Sequence, residues 1–154
     1  VSVSATTRNP RIGEIDSKDY YFLNKLKFKE MIDKGLFIEW AKFADNYYGT
    51  PIASVKEKSE KGFKVILEIE VEGATQVKDK YPNALLIFLM PPSKEELERR
   101  IRSRGTDNEI SISKRLERAN FEISSSSKFD YVITNNLIED TVKKILELVA
   151  KEEI

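Results

Sequence analysis

The sequence predicts an α/β domain on a mostly parallel sheet, with a small mixed lobe inserted near its start. Three observations predict it: short apolar runs of strand character, stretches of helical periodicity alternating with them, and a first third where neither pattern is sustained. In that first third, Tyr20–Leu23 and Phe37–Phe43 read as short extended pieces, 28–34 as one short helix, and Asn46 and Gly49 as turn chemistry. Residues 8–62 are therefore read as the inserted lobe, and 63–154, together with 1–7, as the core of a single domain spanning 1–154. Within the core, Val65–Val71 is β-branched and alternating, Ala84–Met90 is a continuous apolar run suited to a buried parallel strand, and Tyr131–Thr134 is a third candidate. Between them 73–80, 93–103 and 109–125 have helical character, and 138–152 closes the chain with Val142, Ile145, Leu146 and Val149 on one stripe. Pro91-Pro92 ends the apolar run, Ser93 caps the next helix with Glu96 completing a capping box, and 124–127 reads as a polar turn.

Composition narrows the chemistry. Of 154 residues, 40% are hydrophobic and 34% charged, and Lys+Arg and Asp+Glu both number 26, so no global field favours nucleic acid or a membrane surface. An anion site must be local. The absence of Cys removes disulfides, thiolate nucleophiles and thiolate metal sites, and the absence of His removes the commonest general base. No apolar run is long enough to span a membrane and no signal-peptide pattern opens the sequence, so the expected location is the cytoplasm.

Four clusters could carry chemistry. Ser4 to Arg11 sets two guanidinium groups, three hydroxyls and a stiffening Pro10 within eight residues, which suits a phosphate but equally a solvated basic loop. Strand alternation puts Glu39 on one face with Phe37, Ala41 and Phe43, while Glu68 and Glu70 share a face opposite Leu67, Ile69 and Val71. Acids so placed either face solvent or accept hydrogen bonds from a ligand. Tyr47-Tyr48-Gly49-Thr50 and Tyr20-Tyr21 can contact a phosphate and a base edge or simply pack; alternation suggests that one ring of each pair packs and the other is available. Arg99, Arg100, Arg102, Arg104, Arg115 and Arg118, around the Gly105-Thr106 break, read as a solvated face or as a lid over a polyphosphate at about 98–125.

The order of these runs, SATTRNPRIGEIDSKDYYF, FIEWAKFADNYYGT, VILEIEVEGATQV, LMPPSKEELERRIRSRGTD and ITNN, strongly resembles guanylate kinase over nearly the whole sequence. The resemblance implies a P-loop-kinase-like three-layer parallel core with an inserted GMP-binding lobe and a helical lid. It implies the reaction ATP + GMP giving ADP + GDP, with Mg²⁺ bridging the transferred phosphates. It assigns GMP phosphate contacts to Ser4, Arg8, Arg11, Tyr20 and Tyr48, and guanine recognition to Glu39, Thr50, Glu68 and Glu70. Arg8, Arg100, Arg104 and Arg115 would be the catalytic cations, and Arg100, Arg104 and Asn135 would serve ATP; no residue is assigned as a metal ligand. The partners implied are GMP and ATP, with neither nucleic acid nor membrane, and with room for a homodimer.

One departure stands out. The family's G-x-x-x-x-G-K-[ST] loop holds the ATP phosphates, and none of the six glycines here is followed by Lys. The expectation is that an N-terminal segment of the natural protein precedes Val1-Ser2-Val3, which already alternate as a strand, and that the sequence without that loop is inactive. The alternative function is a non-catalytic guanylate-kinase-like module that binds a protein or phosphopeptide; retention of the ATP-side arginines argues against it.

Overall fold

The computed structural model describes residues 1–43, 45–103 and 109–152. The chain divides into two compact units, Val1–Pro82 and Asn83–Ile154.

The first unit is built on a mixed four-stranded sheet in the order β2-β1-β4-β3, from β1 (Ser4–Thr6), β2 (Tyr20–Phe22), β3 (Phe37–Phe43) and β4 (Asn46–Pro51). β1 runs parallel to β2 and antiparallel to β4, which is antiparallel to β3. Helix α1 (Lys25–Asp33) begins where the Asn24 side chain accepts from the Lys27 N–H at 2.8 Å, and it drops Phe28 onto one face of the sheet. There Phe28 stacks on Phe37 and Tyr47 with ring centroids 4.5 and 5.4 Å away, and with Ala5 it forms a core to which Tyr21, Leu23, Met31, Ile32 and Trp40 add their flanks. The opposite face is left for polar chemistry.

Helix α2 (Ile52–Glu60) follows β4, and helix α3 (Val71–Lys80) docks on β3, the edge strand. Its Gln76 amide accepts from the Trp40 N–H at 3.2 Å and donates to the Trp40 carbonyl at 2.8 Å, as a neighbouring strand would. Lys80 Nζ donates to the Ile38 carbonyl at 2.6 Å, so the middle and the C-terminal end of α3 are tied to the same strand.

The second unit holds a two-stranded parallel sheet of β5 (Ile87–Met90) and β6 (Tyr131–Thr134), with α4 (Lys94–Ser103), α5 (Glu109–Ser124) and α6 (Ile138–Lys151). Ser93 Oγ accepts from the Glu96 N–H at 3.1 Å, as its position predicts, and the Asp130 carboxylate takes the Leu86 N–H at 2.8 Å, extending the strand register backwards.

Four expectations change. Val65–Val71 is not a strand: 63–70 has no regular structure and Val71 starts α3. Its pattern suits a sheet, yet its backbone is joined to the 1–3 stretch through Ser2 N donating to the Ile66 carbonyl at 3.0 Å, without a ladder of paired residues. Residues 1–3 are likewise outside any strand, and pairing places Ser4–Thr6 in the first sheet although the sequence groups 1–7 with the second half. The turn expected at Asn46 and Gly49 falls earlier, at Asp45 with φ 66°, so that 46–51 is free to form β4. Helix α2 was not expected at all, because a mean hydropathy pattern without a dominant apolar stripe gives it no periodic signature.

Candidate functional site

Register gathers the candidate residues on the polar face of the first sheet. Ser4 lies opposite Tyr20 on β1 and β2, Thr6 opposite Tyr48 on β1 and β4, and Glu39 opposite Thr50 on β3 and β4. Tyr48 and Thr50 are two residues apart on one strand, so the two ends of this face are separated by about 7 Å of β4. As alternation requires, Tyr47 and Tyr21 pack in the core while Tyr48 and Tyr20 turn to the other side, their rings 6.5 Å apart edge-on.

At one end stands Arg8. Its chain enters the site past Thr6, a fully buried residue whose hydroxyl donates to the Tyr47 carbonyl at 3.0 Å and accepts from the Arg8 N–H at 3.1 Å. The guanidinium is forked on Glu14, with Nη1 to Oε2 at 2.9 Å and Nη2 to Oε1 at 2.8 Å, and Nη1 also donates to the Asn9 carbonyl at 2.7 Å. The Tyr20 and Phe22 rings lie 5.5 and 5.9 Å from its central carbon. Glu14 in turn accepts the Arg11 N–H at 2.6 Å across a turn closed by Gly13, whose φ of 89° suits glycine. These bonds, from Arg8 first and the Arg11 backbone second, hold the Glu14 carboxyl down to about 2, and the same pairing raises Arg8 against the opposing effect of its own burial. Arg11 is exposed beside it. Burial pushes the Tyr20 hydroxyl up, Arg8 opposes this, and Glu68 adds to it, so the exposed Glu68 carboxylate acts on the same neighbourhood.

At the other end Glu39 is 4% exposed, and its Oε1 accepts from the Thr50 hydroxyl at 2.6 Å. Burial pushes its carboxyl up, while the Thr50 hydroxyl and N–H and the charge of Lys80 pull it partly back. The face of Glu39 differs from the simple alternation. A register shift between Phe37 and Glu39 pairs Phe37 with Pro51 and Glu39 with Thr50, so Phe37 turns into the core while Glu39 stays with Ala41 and Phe43 on the polar side. Oε2 of Glu39 points at Gly73 on α3, where an added Cβ would come within 2.5 Å of it. Glu70 stands half-buried at the N-cap of α3 without a side-chain cap bond, so Glu68 and Glu70 occupy an irregular approach to the helix, not one face of a strand.

The second unit brings Arg100 and Asn135 together. Arg100 Nε donates to Glu96 at 2.7 Å, its Nη1 to the Asn135 carbonyl at 3.0 Å, and its Nη2 to the Asn136 carbonyl at 3.4 Å. Asn135 is fixed past the end of β6 by its N–H donating to the Met90 carbonyl at 2.7 Å and by its Oδ1 accepting from the buried Thr141 hydroxyl at 3.1 Å. Glu96 also forks Arg99, and these two arginines hold its carboxyl down to about 2; Arg102 bonds Glu98 and Glu109. Arg115 lies half-buried on α5, and Arg104 falls outside the described residues. Among the described residues no three Asp or Glu side chains gather as a metal site, and no helix is long and apolar enough to cross a membrane.

Sequence reasoning passed over Glu14, Gly73 and Gln76. Glu14 reads as one more surface acid, although its place three residues after Arg11 in a glycine turn is a signal. Gly73 and Gln76 lie in a helix whose docking partner is visible only in three dimensions.

A family model described as Guanylate kinase matches residues 1–152. A guanylate kinase of Prochlorococcus marinus subsp. pastoris is 61% identical over 149 residues, covering 97% of this chain and 81% of the relative. One from Synechocystis sp. is 46% identical over 99% of this chain and 80% of its own length. The crystal structure of guanylate kinase from Anaplasma phagocytophilum superposes with a TM-score of 0.83 at 37% identity, covering 99% of this chain and 76% of that one, so the fold has the P-loop-kinase-like α/β character the sequence predicts.

Proposed function

The chain belongs to the guanylate kinase family, and from that membership we infer its reaction: transfer of the γ-phosphoryl group of ATP to GMP, giving ADP and GDP. The observation that carries the residue-level reading is the two-ended polar face of the first sheet, with Arg8, Ser4, Tyr20 and Tyr48 at one end and Glu39 with Thr50 at the other. We assign the GMP phosphate to the first end, assisted by the exposed Arg11, and the guanine ring to the second, with Glu68 and Glu70 flanking it. Guanine presents N1–H and N2–H donors, and a buried carboxylate with raised proton affinity is a strong acceptor for them; adenine, which lacks that donor pair, would leave Glu39 with only its neutral Thr50 donors.

The attacking atom is a phosphate oxygen already ionised at neutral pH. No histidine base is required, and positioning with charge neutralisation suffices. This sequence contains no G-x-x-x-x-G-K-[ST] run, so its own hold on ATP is assigned to Arg100, Arg104 and Asn135, with Arg115 completing the cationic lid. The described residues do not form a resident metal site; Mg²⁺ is taken to arrive on ATP, and these residues supply no ligand set for it. We further propose a cytoplasmic location, to be read by fractionation, and a homodimer, to be read by sedimentation.

A coupled spectrophotometric assay of the full-length protein with GMP, AMP and UMP tests the reading. GMP should be preferred by about ten-thousandfold or more in kcat/KM, the range a hydrogen-bonding pocket achieves against an analogue that cannot match it. Comparable rates with AMP would remove the guanine assignment, and no turnover with any of them would remove the activity.

A further inference from the structure

Glu14 sits where an acid is least expected, with its carboxylate on the arginine assigned to a phosphate. The geometry explains how the two coexist. A guanidinium has five N–H groups arranged around a plane. Glu14 takes one from each Nη, and the Asn9 carbonyl takes the second from Nη1. That leaves the Nε–H and the outer Nη2–H, which lie side by side on one edge of the plane and match the spacing of two phosphate oxygens. The Tyr20 and Phe22 rings border the group at 5.5 and 5.9 Å, so its plane is held as well as its edge.

Resting on the assignment of the GMP phosphate to Ser4–Arg11, we propose that Glu14 is a positioning residue: it clamps one edge of the Arg8 guanidinium so that the Nε–Nη2 edge is pre-set for the phosphate. The opposite idea is that Glu14 merely occupies the phosphate's place and is expelled by it. Two observations speak against expulsion. The carboxylate is anchored a second time, by the Arg11 N–H at 2.6 Å within the Gly13 turn, and the remaining Arg8 edge makes expulsion unnecessary. Arg8 and Glu14 side chains are only 17% and 19% exposed, so the pair is shielded enough for orientation to matter. The negative charge of Glu14 weakens the local field; the gain is that the entropy of ordering a long arginine is lost on folding and not on binding.

The test is calorimetric titration of the full chain and its variants with GMP and with guanosine, which lacks the phosphate. Glu14→Gln keeps the shape but puts an amide N–H against an arginine N–H. It should weaken GMP about tenfold while leaving guanosine unchanged, and Glu14→Asp should recover part of the loss. In an Arg8→Lys background, where no fork edge exists to be oriented, Glu14→Gln should have little further effect. Unchanged or tighter GMP binding in Glu14→Gln would overturn the proposal, tighter binding marking Glu14 as a competitor; an equal loss for guanosine would reduce it to a folding role. If the unaltered chain bound GMP no better than guanosine, the phosphate assignment itself would fall, a result distinct from any of these.

Discussion

Glu14 and Glu39 belong to the same unit and the same candidate site, yet the protein uses their identical carboxyl groups in opposite ways. Glu14 meets a guanidinium fork and a backbone N–H, and its carboxyl is held down to about 2. Glu39 is buried against a hydroxyl, with its nearest named cation, Lys80, committed by hydrogen bond to the Ile38 carbonyl, and its carboxyl is pushed up. The first is an anion whose demand is already met, so it can hold another group still. The second is an acceptor whose demand is met only in part by neutral donors, so it favours a ligand that brings more of them. Environments that drive like groups apart in this way are how one small site can carry two roles.

Replacing Glu39 by Gln breaks the comparison at its more demanding end. The amide is nearly the same size, keeps a bond with Thr50 and removes a buried charge, so the unfolding temperature should hold or rise. Loss of a charged acceptor for a ring N–H is worth about 1.5–3 kcal/mol, so kcat/KM for GMP should fall about ten- to a hundredfold while the small activity with AMP stays where it was. Equal losses for both nucleotides would mean that Glu39 supports the fold of the lobe and does not read the base.

A smaller effect should come from Gly73→Ala, which sharpens the claim that the space beside Glu39 is reserved. The new Cβ would lie 2.5 Å from Oε2 and 3.1 Å from Cδ of Glu39, so the side chain must swing away from the position that Thr50 fixes. Because the overlap is with the end of a side chain, the backbone can stay, and the helix gains about 1 kcal/mol of propensity in exchange for the strain. The expected result is a KM for GMP about tenfold higher with an unfolding temperature near that of the parent. An unchanged KM would show that the carboxylate has another rotamer equally able to serve.

These two sites also show what a sequence reveals and what it hides. An acid in the run Phe37-Ile38-Glu39-Trp40 advertises burial, and adjacent tyrosines advertise one packed and one available ring; both signals come from the period of a strand and need no partner. The bulge that separates Phe37 from Glu39 depends on how β4 pairs, and pairing is not encoded in either strand alone. The same reason defeats Val65–Val71, whose alternation satisfies the pattern of a strand but which gains no strand partner among the described residues. It also hides β1, three residues long and too short for periodicity, which joins Tyr20 to Tyr48 and so assembles the anion end. Gln76 and Gly73 act on β3 across 36 and 34 residues of sequence respectively, a reach available only once α3 has docked.

The smallest expected effect is on stability against pH, and here the two glutamates should slope in opposite directions. The Glu14 carboxyl lies near 2 in the folded chain against an ordinary 4.5, so the folded state binds fewer protons through that window. Its contribution is complete above about 4.5 and is lost as pH falls towards 2. The Glu39 carboxyl lies above 4.5 in the folded chain, so the folded state holds the proton longer; that contribution is complete below 4.5 and is lost as pH rises through the folded value. Urea midpoints of the parent, Glu14→Gln and Glu39→Gln across this range isolate each term, because Glu96, also held down to about 2, cancels in the differences. The parent's advantage over Glu14→Gln should shrink with acid, and its stability relative to Glu39→Gln should fall as pH rises. Parallel slopes would mean that both carboxylates feel the same environment, and the division of labour between the two ends of the site would have no electrostatic basis.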